Sequence, residues 1–267
     1  MTPNGAAEPK SAATTATPAN RTLVQFGNFL FKWRNEVFPL TFLVIAAASY
    51  PRASFGTERG DLVADVVGIG VALAGQAIRA AVIGLAYIQR GGKAKKIHAD
   101  ALVKDGLFAH SRNPLYLGNM LVFLGLFLVL NSTLGYLVGV PFFFIAYMSL
   151  TLAEEEFLRK QFGQEYEEYF RRVSRFVPSL KGLGTTMRSM SFNWKRLIRK
   201  EYGSTFIWIT AAMALMLWEV AARHGWAAVG PRARILAPMW GVVIAGYALA
   251  RYLKKSGRLV AATPHAS

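Results

Sequence analysis

The chain has 267 residues, 53% of them hydrophobic and only 17% charged, against roughly 25% charged in an ordinary soluble domain. Cysteine is absent, which excludes disulfide scaffolds, thiolate nucleophiles, Cys-ligated zinc and iron–sulfur clusters. Lys and Arg outnumber Asp and Glu by 31 to 15, and in so apolar a chain that excess points to basic loops on an anionic membrane, not to a nucleic-acid partner.

Residues 1–20 are mostly Ala, Thr, Pro, Asn and Ser. They carry too little apolar surface to offset ordering entropy and read as a disordered tail, without the pattern of a signal peptide. The first apolar run, residues 37–50, is short for a span, which needs about 20 residues; residues 26–33 read as an amphipathic approach to it along the interface. Fuller spans follow at 62–88, 115–130, 134–153, 205–222 and 235–253. Asn131, Ser132 and Thr133 separate two of them and predict the tip of a tight helical hairpin. The expected fold is all-α, a polytopic transmembrane bundle of about six spans with a cytoplasmic amphipathic helix after the fourth. That helix is read from Leu158, Phe162, Tyr166, Tyr169 and Val173, which recur at helical spacing.

The bases set an orientation. Those before the first span, between 90 and 112, between 159 and 200, and from 251 onward number 25; the opposite side holds Arg52, Arg59, Arg223, Arg232 and Arg234. The positive-inside rule then places both termini and the two long basic connections in the cytoplasm of an inner or plasma membrane. Arg79 lies inside the second apolar run, with Gln76 one turn earlier. A buried intramembrane Arg costs at least about 2.5–3.5 kcal/mol and usually faces a polar cavity or a partner charge. The plainer alternative is that it snorkels to the interface.

Two cytoplasmic segments are richer in chemistry than a connection requires. In the first, Pro114 suits a helix start, Asn113 before it is a good cap, and free N–H groups beside Arg112 would suit an anion or carboxylate. Tyr116 and Gly118 follow, and Gly118 permits close approach to the backbone. A capped helix with an interfacial Arg and Tyr is the simpler reading. In the second, Glu154, Glu155 and Glu156 repel one another and an anionic lipid surface unless cations sit nearby, such as Arg79, Arg112 or a charged ligand. Here the simpler reading is a solvated helix start, where acids suit the macrodipole.

The stretch from Gly75 to Pro178 resembles the isoprenylcysteine carboxyl methyltransferase and phospholipid methyltransferase family of integral membrane enzymes. The resemblance rests on ordered pieces: Gly75 and Arg79 in a span, Leu102-Val103 with Gly106 and Phe108, then Arg112-Asn113-Pro114 with Tyr116 and Gly118. A hairpin follows, then Glu154-Glu155 with Leu158, then Phe162-Gly163 with Tyr166, Tyr169 and Val173, closed by Pro178. It implies S-adenosylmethionine as cofactor and a lipophilic acceptor entering from the bilayer. By position, Arg112, Asn113, Pro114, Tyr116, Gly118, Glu154 and Glu155 would bind the cofactor, and Arg79 and Tyr116 would serve at the reacting centre, with no metal. Asn113 stands where most relatives have His and cannot take up a proton; Phe108 stands where relatives usually have Tyr.

Read this way, the chain divides into a tail (1–20), a methyltransferase-like core (21–180), a basic linker (181–203), two additional spans (204–255) and a second tail (256–267). The two added spans offer a substrate wall or a contact with a second copy. Methyl transfer is an in-line displacement that needs alignment and exclusion of water. A soluble methyltransferase would need a strand before a glycine-rich turn, and Gly182-Leu183-Gly184, which follows none, reads as a loop. Two other readings are a sterol-type membrane reductase using NADPH, which the Glu154-Glu155 pattern disfavours, and a non-catalytic membrane protein or transporter of the same fold. Transport would predict inverted repeats, and none is found.

Overall fold

The apolar runs of the sequence become helices, and the first is already longer than expected. The computed structural model describes residues 18–51, 57–85, 90–93, 96–99 and 101–259, so most of both expected tails lies outside the described residues. Helix α1 (Pro18–Ala48) is one 31-residue helix that runs through Pro39, where an interfacial approach and a short span were expected. A mid-helix proline removes one backbone bond, but Phe38 and Phe42 on either side of it are buried in the core, and that packing holds the helix together. Next come α2 (Glu58–Leu85) and a short antiparallel ribbon, β1 (Arg90–Lys93) with β2 (Lys96–Ala99), which pairs Arg90 with Ala99 and Lys93 with Lys96. The bundle is otherwise helical: α3 (Pro114–Leu130), a π-turn at Gly135–Gly139, α4 (Val140–Arg172), α5 (Leu183–Ser189), α6 (Trp194–His224) and α7 (Val229–Lys255).

Four helical stretches among the described residues are long and apolar enough to cross a membrane: Arg59–Leu85, Gly135–Arg172, Trp194–His224 and Trp226–Lys255. Pro114–Leu130 is apolar but shorter. Outward-facing Leu40, Val66 and Val242 are exposed, a surface suited to lipid. The turn between α3 and α4 falls where the sequence placed it. Asn131 takes the left-handed conformation (φ 46°, ψ 52°), and its side chain donates to Asp61 Oδ1 at 3.1 Å while accepting from Tyr136 Oη at 3.0 Å.

Small residues bring α2 and α3 together. A Cβ on Gly75 would lie 2.5 Å from the Gly118 carbonyl oxygen, and one on Gly118 would lie 2.7 Å from Arg79 Cγ. Gly118 therefore admits a neighbouring helix and the stem of Arg79, the kind of close crossing that small residues allow in membranes. The start of α6 is latched to the end of α2. Arg196 donates to the carbonyls of Ile83 (2.7 Å) and Gly84 (2.8 Å), and Asn193 N–H donates to Gly84 as well (2.8 Å). A guanidinium on the last carbonyls of a helix complements its macrodipole.

Three local expectations are corrected. Glu154 to Glu156 lie in the middle of α4, not at a helix start, because the apolar run and the acidic run share one helix. That helix kinks at Gly163 (φ 51°, ψ −123°), and beyond the kink Tyr166 and Tyr169 are buried against Leu158 and Ala99. Leu183 and Gly184, expected in a loop, belong to the short helix α5, which follows the left-handed Gly182 (φ 75°). Finally, α6 begins at Trp194, so part of the basic stretch expected as linker continues into the apolar run as one helix.

Candidate active site

Two strands of irregular chain bracket the site. The segment before α3 pairs with the segment after α4: Arg112 N–H donates to Ser174 O (2.9 Å), Asn113 N–H to Arg175 O (3.0 Å) and Ser179 N–H to His110 O (2.9 Å). His110 is fixed between Ser179 O and Thr186 Oγ1. The backbone N–H groups of Arg112 and Asn113 are thus engaged. Asn113 precedes Pro114 at the start of α3 but makes no side-chain cap; its Nδ2 donates to Arg175 O at 3.3 Å instead.

Arg112 turns inward. Its Nη2 donates to Glu155 Oε1 (3.0 Å), its Nη1 donates to the carbonyls of Phe170 and Val173, and its guanidinium lies 4.0 Å from the centre of the Phe170 ring. Arg175 grips the same carboxylate through Nε to Oε1 (3.0 Å) and Nη2 to Oε2 (2.9 Å). Hydrogen bonding to Glu155 raises the pKa of the Arg175 guanidinium above its ordinary value. Glu155 is 1% exposed and Arg112 5%. This centre is closed.

One residue earlier on α4, Glu154 faces a cavity of about 360 Å³, within the usual size range of ligand sites. Its Oε1 accepts from Tyr116 Oη at 3.0 Å, and that hydroxyl in turn receives Arg34 Nη1 at 3.5 Å. Arg34 and Asn35 come from α1, Asn113, Pro114, Tyr116 and Asn119 from the α3 end, and Tyr147 from α4. Phe108 lines the cavity too, with no hydroxyl to offer.

Arg79 stands at its inner edge in an ion pair. Its Nε and Nη2 hold the two oxygens of Glu201 on α6 at 2.8 and 2.6 Å, and its Nη1 donates to Asn119 Oδ1. Gln76 Nε2 donates to Glu201 at 3.2 Å and its Oε1 accepts from Trp208 Nε1 at 2.9 Å. Beyond this neck opens a second, mainly apolar cavity of about 760 Å³ that shares Arg34, Asn35, Phe38, Arg79, Asn119 and Tyr147 with the first. Its far wall is α6, including Trp208, Leu215 and Trp218.

Of the residues expected at the site, Arg79, Asn113, Pro114, Tyr116 and Glu154 line the polar cavity, whereas Arg112, Gly118 and Glu155 lie outside its lining. Arg34, Asn35, Asn119, Tyr147 and Glu201 were not expected. Glu201 carried a signal: between Glu168 and Glu219 it is the sole acid in a strongly basic stretch. Against this geometry, residues 66–165 match a family model. The matched family is phospholipid methyltransferase. The matched segment covers under half of the chain, runs from α2 to the kinked part of α4, and agrees with the resemblance carried by the sequence motifs. It supports a membrane methyltransferase in broad class. No curated protein and no solved structure matches the chain. Arg34 and Glu201 both lie outside the matched segment.

Proposed function

We propose that the protein transfers a methyl group from S-adenosylmethionine, held in the polar cavity, to a lipophilic acceptor whose apolar body occupies the adjoining cavity from the bilayer side. One observation carries this reading: a cavity with opposite charges joined through Tyr116 shares six lining residues with an adjoining, mainly apolar one. The donor set fits the cofactor's ends. Glu154 suits its cationic groups and Arg34 its carboxylate, by charge-assisted hydrogen bonds. When bound, S-adenosylmethionine supplies an electrophilic methyl group on a sulfonium. The chain's own part is alignment and exclusion of water: Phe38 and Tyr147 close the neck on one side, and Arg79 and Asn119 fix the other. Tyr116, donating to Glu154, can pass a proton from an acceptor to that carboxylate when the acceptor must lose one. Helix α6 supplies the acceptor wall.

Calorimetric titration of the detergent-purified chain tests this. S-adenosylmethionine should bind and NADPH should not. A hydrogen bond to a charged group contributes about 1.5–3 kcal/mol, so Glu154→Gln should weaken cofactor binding roughly ten- to hundredfold. Binding of NADPH in preference to S-adenosylmethionine would overturn the reading in favour of a reductase.

A further inference from the structure

Two cations, Arg34 and Arg79, line both cavities; Glu154 lines the polar one, and Glu201 holds Arg79 from outside either lining. Arg79 is the group an acceptor head would meet on leaving the apolar cavity, and its charge is already matched. The Glu201 carboxylate takes its Nε and Nη2 in a two-point grip, Ser204 Oγ lies 3.4 Å from Nη2, and Asn119 takes Nη1. Glu201 is itself braced by Gln76, which Trp208 holds in turn. A guanidinium engaged in this fork-to-carboxylate geometry has spent the donors that would otherwise recognise a phosphate. A phosphate head drawn out of water needs cations to pair with it, and at this neck only Arg34, claimed from the other side by the polar cavity, lacks a carboxylate partner among the described residues.

We propose that Glu201 is a positioning residue that clasps and neutralises Arg79, so that the site selects an amphiphilic acceptor with an uncharged, hydrogen-bonding head over one with a phosphate head at the neck. This rests on the methyl acceptor lying in the apolar cavity. It makes α6, outside the matched segment, the element that sets head-group choice. Asn35, Asn119 and Tyr147 remain as the uncharged polar groups that line the neck.

The test uses the full chain in detergent with two probes of equal chain length, brominated hexadecanol and brominated hexadecyl phosphate. Binding is read by quenching of Trp208 and Trp218, which line the cavity, with Trp208→Phe/Trp218→Phe as the signal control. The wild type should bind the alcohol roughly tenfold more tightly than the phosphate, and Glu201→Gln, which frees the guanidinium, should erase or reverse that preference. If Glu201→Gln does not fold, Arg79→Gln decides, because the bare carboxylate should widen the preference for the alcohol by roughly the same factor. A wild type that prefers the phosphate, or a ratio unchanged in these variants, overturns the proposal. S-adenosylmethionine titrated into the same samples keeps the two readings apart: absent cofactor binding defeats the proposed function, while the probe ratio still reports on the clasp.

Discussion

The carboxylate of Glu155 receives three hydrogen bonds from two guanidinium groups and is 1% exposed, whereas that of Glu154, one residue earlier on α4, accepts one from a tyrosine hydroxyl and faces a cavity. A step of about 100° around a helix separates a saturated structural centre from an open one. The difference teaches what a run of acids can be used for. Glu155 ties the two segments that flank the site, because Arg112 precedes α3 and Arg175 follows α4. Glu154 keeps a lone pair to spare for a ligand. Glu156 continues the rotation to the surface, where it pairs with Lys160.

Breaking the closed centre should have the largest effect. Removing one partner of a buried ion pair costs about 3–5 kcal/mol, and Glu155→Ala strands Arg112 at 5% exposure. The variant should lose most of its thermal stability in detergent, with cofactor binding lost only through unfolding. A melting temperature within a degree or two of wild type would remove the structural role from Glu155. Next comes the scaffold beneath the open centre. Gly118→Ala sets a methyl group against the Arg79 stem and the Gly75 carbonyl oxygen, and such overpacking costs about 1–3 kcal/mol. It should lower stability moderately and weaken probe binding in the apolar cavity, since Arg79 must move. Equal probe binding with a shifted melting temperature would confine Gly118 to packing. The smallest change is Tyr116→Phe, which deletes one neutral hydrogen bond worth about 0.5–1.5 kcal/mol. Cofactor affinity should fall by a few-fold at unchanged stability, and a drop as large as that of Glu154→Gln would mean that the hydroxyl itself meets the ligand.

Much of this was legible from sequence because it is local. Asn131 marked the hairpin, Pro114 the start of α3, and Gly118 a place of close approach. Asn113, Pro114, Tyr116 and Glu154 were singled out and line the cavity. Glu155 was grouped with Glu154 because adjacency in a sequence does not say which side of a helix faces a hole. That depends on Arg175, which the motifs did not include. Arg79 was flagged as either paired or snorkelling, and the choice needed a partner 122 positions away on α6. No periodicity links residues at such a distance; only the isolation of Glu201 among bases hinted at it. Arg34 was missed for a similar reason, since α1 looked like an approach and a short span instead of one long helix presenting a wall to the site.

The distance between Arg79 and Glu201 also bears on how the chain is made. Synthesis proceeds at about 5–20 residues per second, so a separation of 122 residues leaves the guanidinium waiting on the order of 6–24 s after α2 emerges. During that interval α2 carries an apolar-run arginine whose carboxylate does not yet exist. Arg79 lies six residues before the end of α2 at Leu85, close enough for its side chain to reach the interface in the meantime. The latch of Arg196 and Asn193 on the carbonyls of Ile83 and Gly84 then forms just ahead of Glu201 in the order of synthesis. A nascent chain halted short of α6 would therefore hold the apolar cavity without its far wall.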